Sequence, residues 1–169
     1  MAIQKLGRPT DQRLALIKNQ VSHLFWYGKI ETTLVRAKSV QRAAEKLLTL
    51  AINTYEDTVN VTKEVKDEKG NVTKQNFVND GVNKLNARRK LIASVYNLQE
   101  QREPKEKLAD FKARTEGIAH PLIEKIFNVY APKYAERAKQ LGNKGGYTRI
   151  IKLGKRNGDD ADVVILELV

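Results

Sequence analysis

Between residues 11 and 27 the apolar side chains Leu14, Ile17, Val21, Leu24 and Phe25 recur at three- and four-residue spacing. At 100° per residue they fall within about a third of a turn, so this segment is predicted to be a helix that must bury one face. Pro9, Thr10 and Asp11 supply its start signals, and Gly28 stands where a left-handed stop is needed. Lys29 to Thr33 follows at once, short and alternating between polar and apolar, as one strand does. Thr33 is then placed to cap a second helix over 34–53, with Val40, Ala44, Leu47 and Ala51 as its apolar stripe.

The rest of the chain continues this mixture. Residues 57–65 and 72–78 read as two strands joined by a Lys-Gly-Asn turn at 69–71, a protruding β-hairpin. A third helix is predicted over 83–98 with Leu85, Ile92, Val95 and Tyr96 inward. Pro104 is read as opening a short polar helix to 113. Pro121 opens another, with Leu122, Ile123, Ile126, Phe127 and Tyr130 as its apolar set, and Pro132 opens one more to 141. The C-terminal end is β: Tyr147 to Leu153, a polar loop 154–162, then Val163 to Val169. Helices outnumber strands and do not alternate with them regularly, so the class is α+β.

Charge narrows the function. Lysine and arginine total 31 against 20 acids in 169 residues, a net charge of +11 that points to a polyanion as partner. The imbalance is uneven: residues 1–53 hold 9 bases and 3 acids, whereas residues 54–82 hold 4 bases and 6 acids. We read 54–82 as an insertion that avoids the polyanion or faces solvent. With no cysteine, there is no disulfide framework, thiolate nucleophile or thiolate zinc site. No apolar run approaches a membrane span, and the N-terminus lacks the apolar core of a signal peptide, so a cytoplasmic protein is expected.

Catalysis finds little support. His23 falls opposite the apolar stripe of the first helix, His120 precedes Pro121, and neither has an acid placed beside it in a nucleophile–base pattern. Asp159, Asp160 and Asp162 lack the ligand spacing of a calcium loop, and Gly142-Asn-Lys-Gly-Gly146 lacks the Gly-Lys-Ser/Thr ending of a phosphate-binding loop. We therefore expect no enzyme, no metal, no cofactor and no small-molecule substrate. By contrast, Lys38, Arg42 and Lys46 stand four residues apart on the side of the second helix opposite its apolar stripe. In a basic region, such a line suits phosphate contact, while a merely solvated face is the bland alternative.

Two groups of residues carry a family resemblance. The first is Lys5-Leu-Gly-Arg-Pro-Thr-Asp-Gln-Arg13, Gly28-Lys-Ile-Glu-Thr-Thr-Leu-Val-Arg-Ala-Lys38 and Ala44-Glu-Lys-Leu-Leu-Thr-Leu-Ala51. The second is Ala131-Pro-Lys-Tyr-Ala-Glu-Arg137, Gly145-Gly-Tyr-Thr-Arg-Ile150, Arg156-Asn-Gly-Asp159 and Ile165-Leu-Glu-Leu-Val169. Arg88 and Arg89, and Ile123-Glu-Lys-Ile-Phe127, fit the same pattern. Together these resemble the L-seventeen family of bacterial large-subunit ribosomal proteins. The resemblance implies a single compact two-layer domain over 1–169, with several helices on a small mixed sheet, a C-terminal antiparallel hairpin and an inserted β-hairpin. Relative to the family's usual length, extra residues stand at about 54–82 and 99–119.

The resemblance also implies large ribosomal RNA and neighbouring ribosomal proteins as partners, with a structural role and no catalytic residues. Backbone and shape recognition should dominate. Lys5, Arg8 and Arg13 are expected to anchor an extended N-terminus on phosphates, with Gly7 allowing close approach. Lys38, Arg42 and Lys46 would line a helix against RNA. For Arg88 and Arg89 a buried ion pair competes with RNA contact. Tyr147, Thr148 and Arg149 would present a stacking ring, a hydroxyl and a cation, with strand alternation putting Tyr147 and Arg149 on one face. For Tyr147, packing within the sheet competes. Lys155 and Arg156 form a second loop anchor. Trp26 and Tyr27 fall outside the stripe of the first helix and are left open between a neighbouring protein, the insertion and RNA. The rivals from other classes are a free nucleic-acid-binding regulator and an RNA-modifying or phosphate-handling enzyme.

Overall fold

The first helix, α1, runs Thr10–Tyr27 and ends where expected, because Gly28 takes φ 80° and donates its N–H to the Leu24 carbonyl at 2.8 Å. The computed structural model describes residues 4–66 and 72–169. β1 (Lys29–Thr33) leads directly into α2 (Leu34–Ile52). Thr33 occupies the N-cap position of α2, but its side chain makes no capping hydrogen bond. β2 (Thr58–Lys66) pairs antiparallel with β3 (Val72–Asp80), and the turn expected at 69–71 lies outside the described residues.

α3 (Val82–Ser94) stops earlier than the sequence suggests, because Val95 is already extended. Its buried line is Ala87 and Leu91, continued by Val95, while Leu85 and Tyr96 are 38% and 40% exposed. The inward phase predicted from Leu85 and Tyr96 is therefore corrected: Tyr96 belongs to extended chain, pinned by its N–H to the buried Ser22 hydroxyl at 2.8 Å. The short helix α4 covers Leu108–Thr115, starting beyond Pro104, which sits in a turn.

α5 (Pro121–Lys125), a π-helical turn Ile126–Tyr130 and α6 (Ala131–Leu141) abut without a loop. Pro132 stands in the first turn of α6, which ends at Leu141 as expected, and no loop separates that helix from the turn before it. Pro132 has no N–H for a regular i−4 bond, and just before it the Ala131 N–H reaches back to the Ile126 carbonyl. The apolar set of this 121–141 rod is buried as predicted, from Leu122 to Tyr130.

β4 (Thr148–Lys155) and β5 (Asp162–Leu168) form the C-terminal hairpin. The three-stranded sheet has the order β1-β5-β4, and both pairings are antiparallel, so the mixed sheet expected from the sequence is corrected. β1 comes home beside the last strand because Gly28 turns the chain straight back from α1. One sheet face carries Ile30, Thr32, Val164, Leu166 and Ile150 against α1, α2 and the rod. Phe25, Val40, Ala44, Leu48, Ile126 and Tyr134 fill the space between. Each large side chain so buried is worth about 1.5–3 kcal/mol of transfer free energy. The class is α+β, two layers sharing one core, with the β2–β3 ribbon outside it.

The ribbon's root is built around Asp57. Its carboxylate accepts the N–H groups of Asn83 at 2.8 Å and Lys84 at 3.3 Å, capping α3 from a distant residue. Gly81 lies against it, and a Cβ there would stand 2.1 Å from the Asp57 carboxylate, which would have to shift to admit it.

Candidate nucleic-acid interface

α2 presents its two faces as the spacing demands. Ala37, Val40, Ala44, Leu48 and Ala51 are fully buried, and Lys38, Arg42 and Lys46 are exposed on the far side. The N-terminal segment lies against this helix: the Ser39 hydroxyl donates to Oε1 of Gln4 at 3.1 Å. Leu6 and Gly7 follow with φ 56° and 63°, and the Arg8 N–H closes a turn on the Lys5 carbonyl at 3.2 Å. Lys5 and Arg8 are thereby exposed beside the start of the α2 line, and Arg13 is half-buried in the first turns of α1. Among the described residues, Lys5, Arg8, Arg13, Lys38 and Lys46 form no ion pair with an acid. The result is a ridge of cations on a rigid helix, with a short turn of chain alongside it.

The Gly145-Gly146-Tyr147-Thr148-Arg149 block divides. Gly145 and Gly146 take φ 101° and 59°, and this left-handed pair turns Tyr147 inward, so it does not share a face with Arg149. The Tyr147 ring is 3% exposed and packs on Tyr134 at 5.0 Å between centroids. It offers no free face for stacking on a base. Thr148 is 8% exposed; its hydroxyl donates to Oε1 of Glu45 at 2.8 Å and accepts from Nε2 of Gln41 at 3.0 Å, tying β4 to α2. Burial pushes the Tyr134 phenol up to about 12.

Arg137 is the residue that sequence reasoning passed over. Its Nη2 donates to the carbonyls of Gly145 at 2.7 Å and Gly146 at 3.1 Å, and its guanidinium lies 5.1 Å and 5.6 Å from the Tyr134 and Tyr147 rings. Two successive residues with positive φ aim neighbouring carbonyls at one place, and a fork of donors answers them. The spacing of Arg137 from a Gly-Gly pair was the available signal.

Arg149 is outward and largely exposed, with Nε and Nη2 both donating to Oε1 of Glu167 on β5, at 2.8 and 2.5 Å. At the turn between β4 and β5, Arg156 pairs with Asp159 through two bonds of 2.9 and 2.6 Å, and Lys155, the last residue of β4, meets Asp160 at 2.6 Å. The Arg156 hydrogen bonds hold the Asp159 carboxyl at about 2. Both loop cations are exposed but locally neutralised.

Arg88 and Arg89 separate. Arg88 donates from Nε to Oδ2 of Asp80 at 2.7 Å and from Nη1 to Glu124, and it lies over the Phe127 ring at 5.2 Å. It joins the root of the ribbon, α3 and the rod as a part-buried ion pair, the alternative weighed for it in the sequence. Lys84 adds a second bond to Asp80 at 3.1 Å. Burial works to raise the Asp80 pKa, but the hydrogen bonds from Lys84 and Arg88 outweigh it and hold the carboxyl below its ordinary value. Arg89 is exposed.

His23 stacks on Tyr27 with centroids 5.7 Å apart, and the His120 carbonyl accepts the N–H groups of Ile123 at 3.0 Å and Glu124 at 3.1 Å. Among the described residues no three His, Asp or Glu side chains converge as metal ligands, and no helix is long and apolar enough to cross a membrane.

Comparison with known proteins adds an independent finding. The family described as Ribosomal protein L17 matches residues 16–169. A large ribosomal subunit protein bL17 from Acetivibrio thermocellus is 35% identical, with 99% of each chain covered. The protein of the same name from Lachnospira eligens is 38% identical over 98% of each, and that from Clostridium acetobutylicum is 37% identical over 98% of this chain and 96% of its own.

Proposed function

The chain belongs to the ribosomal protein L17 family, and from that premise we propose that it is a structural, non-catalytic component of the large ribosomal subunit of a bacterial cytoplasm. It binds large ribosomal RNA mainly through the phosphate backbone and packs against neighbouring ribosomal proteins. The observation that carries the RNA reading is the Gln4–Ser39 contact, which sets Lys5 and Arg8 beside the Lys38, Arg42 and Lys46 ridge. Side chains on a helix and in a fixed turn match a rigid array of phosphates without ordering a long loop on binding.

Arg149, Lys155 and Arg156 form the secondary contact, in which phosphate replaces Glu167, Asp160 and Asp159 as the acceptor. Such an exchange is inexpensive for exposed pairs, whose attraction is already screened by water. Tyr147, Thr148 and Arg88 serve the fold that carries these cations. The test is the salt dependence of binding to large-subunit ribosomal RNA. Neutralising about six phosphates gives a log–log slope of about −4 to −5. A slope near zero overturns the phosphate reading.

A further inference from the structure

We propose that the cleft between α1, the middle of α2 and the end of α3 takes one unstacked nucleotide of the large ribosomal RNA, its base inside and its phosphates on the rim. The inference rests on the ribosomal reading above and adds to the cationic ridge a site for a base. The cleft is a cavity of about 370 Å³, within the range of about 300–1,000 Å³ that holds a small ligand. Its walls are Leu14, Ile17 and Val21 of α1 and Ala43 and Leu47 of α2. Val21 is buried, whereas Leu14, which the apolar stripe of α1 assigns to the core, is 58% exposed. The cleft is therefore apolar within and open to solvent at Leu14.

Charge and continuity select the occupant. Lys18 and Lys46 line the cleft, and no carboxylate does. Lys46 is exposed, forms no ion pair among the described residues, and is also the last cation of the ridge that begins with Lys38 and Arg42. A strand whose phosphates follow that ridge is thus carried to the apolar opening. Lys18 donates to the Ala93 carbonyl at 3.0 Å and keeps its positive charge, with further N–H groups to offer. The Ser94 hydroxyl gives its hydrogen to the Lys90 carbonyl at 2.7 Å, which leaves its oxygen as an acceptor. A donor and an acceptor beside apolar walls match a nucleobase, whose faces are apolar and whose edges carry both kinds of group. An apolar side chain of a protein neighbour would fill the walls but bring no anion to Lys46.

The experiment places the photo-crosslinking residue p-azidophenylalanine at position 93, an exposed alanine on the rim, in the full chain in cells. Large subunits are isolated, the amount of this protein in them is measured, and they are then irradiated. The expected product is an adduct to large ribosomal RNA at an unpaired nucleotide, located by the arrest of reverse transcription. Leu14→Asn changes a largely exposed side chain, so the fold should tolerate it. With the purified chain it should weaken binding to large-subunit ribosomal RNA about fivefold through lost apolar contact and leave the log–log salt slope unchanged. Lys46→Ala should instead make that slope shallower by about 0.7–0.9. The adduct yield per incorporated chain should fall with Leu14→Asn by about the same factor as the affinity. An adduct to protein, or to a nucleotide inside a continuous duplex, overturns the proposal. So does a subunit that contains the protein and gives no adduct, or a Leu14→Asn chain that binds like the unaltered one. Absence of the protein from the large subunit, measured before irradiation, overturns the ribosomal reading itself and the nucleotide site with it.

Discussion

The Ser39 hydroxyl donates to Oε1 of Gln4 across 3.1 Å, joining the N-terminal turn to the middle of the first half of α2. Two cationic segments that the sequence separates by some thirty residues thereby become one surface. That joining gathers the charge excess of two segments on one face.

Replacing Arg8, Arg42 and Arg149 together by Ala should weaken binding to large-subunit ribosomal RNA and make the log–log salt slope shallower by about 2 to 3, while the circular dichroism spectrum stays unchanged. Filter binding over a range of potassium chloride concentrations measures this. An unchanged slope contradicts the assignment of these cations to phosphates.

Asp57 and Gly81 should behave as a coupled pair. Gly81→Ala forces a Cβ into the Asp57 carboxylate, so it should cost more than the ordinary glycine-to-alanine change, about 2 kcal/mol. Asp57→Ala loses the cap of α3, about 1 kcal/mol. The double variant should lose clearly less than the two single changes combined, because the clash disappears with the carboxylate. Urea unfolding of the four proteins completes the cycle, and strict additivity contradicts the contact.

Arg88→Ala should destabilise the fold by about 2 kcal/mol, since two carboxylates lose a charged hydrogen-bond donor. That corresponds to a melting temperature lower by roughly 4–8 °C in a chain of this length. Its effect on RNA affinity, measured on folded protein, should be small beside that of the Arg8, Arg42 and Arg149 replacements. A loss of affinity at full stability contradicts the structural role given to Arg88.

The Asp80 carboxyl has a pKa lower in the folded chain than in the unfolded one, so it adds stability above the unfolded value. That contribution should be complete above about pH 5 and fade as the pH falls through the lowered pKa, below about pH 4. Asp80→Asn should remove it at neutral pH and flatten the acid limb of the stability curve. Melting temperatures between pH 3 and pH 7 test this, and parallel acid limbs in the two proteins would count against it.

The β2–β3 ribbon lies outside the shared core, and residues 54–82 tilt acidic in a basic chain. Replacing residues 60–78 by a short linker, while keeping Asp57, Asp80 and Gly81 at the root, should leave entry into the large subunit nearly normal. Gradient fractions of cells carrying only the shortened chain measure that. Loss of incorporation with a folded protein would show that the ribbon makes essential contacts.

Much of this architecture can be read from local pattern. α1, β1 and α2 are legible because apolar periodicity marks the helices and Gly28 supplies the left-handed stop between them, although Leu14, expected in the buried face of α1, is 58% exposed; the α2 cations are legible because helical spacing alone puts them opposite the core. The inward phase of α3 is not legible. Ser22 captures the Tyr96 N–H from another helix, and local periodicity carries no trace of that bond. The Gly-Gly-Tyr-Thr-Arg block misleads for a related reason. Its alternation presumes a strand, whereas two left-handed glycines and Arg137 turn Tyr147 into the core. Asp57, which caps a helix beyond the whole ribbon, is equally invisible to any short window.

Membership of the large subunit is tested by a sucrose-gradient profile of cell lysate, with fractions probed for this protein at low and then at high salt. Co-migration with the large subunit should survive the high-salt wash, because many cations would act together on one folded RNA surface. Migration at the top of the gradient, or release by a mild salt wash, would contradict it and point instead to a free nucleic-acid-binding regulator.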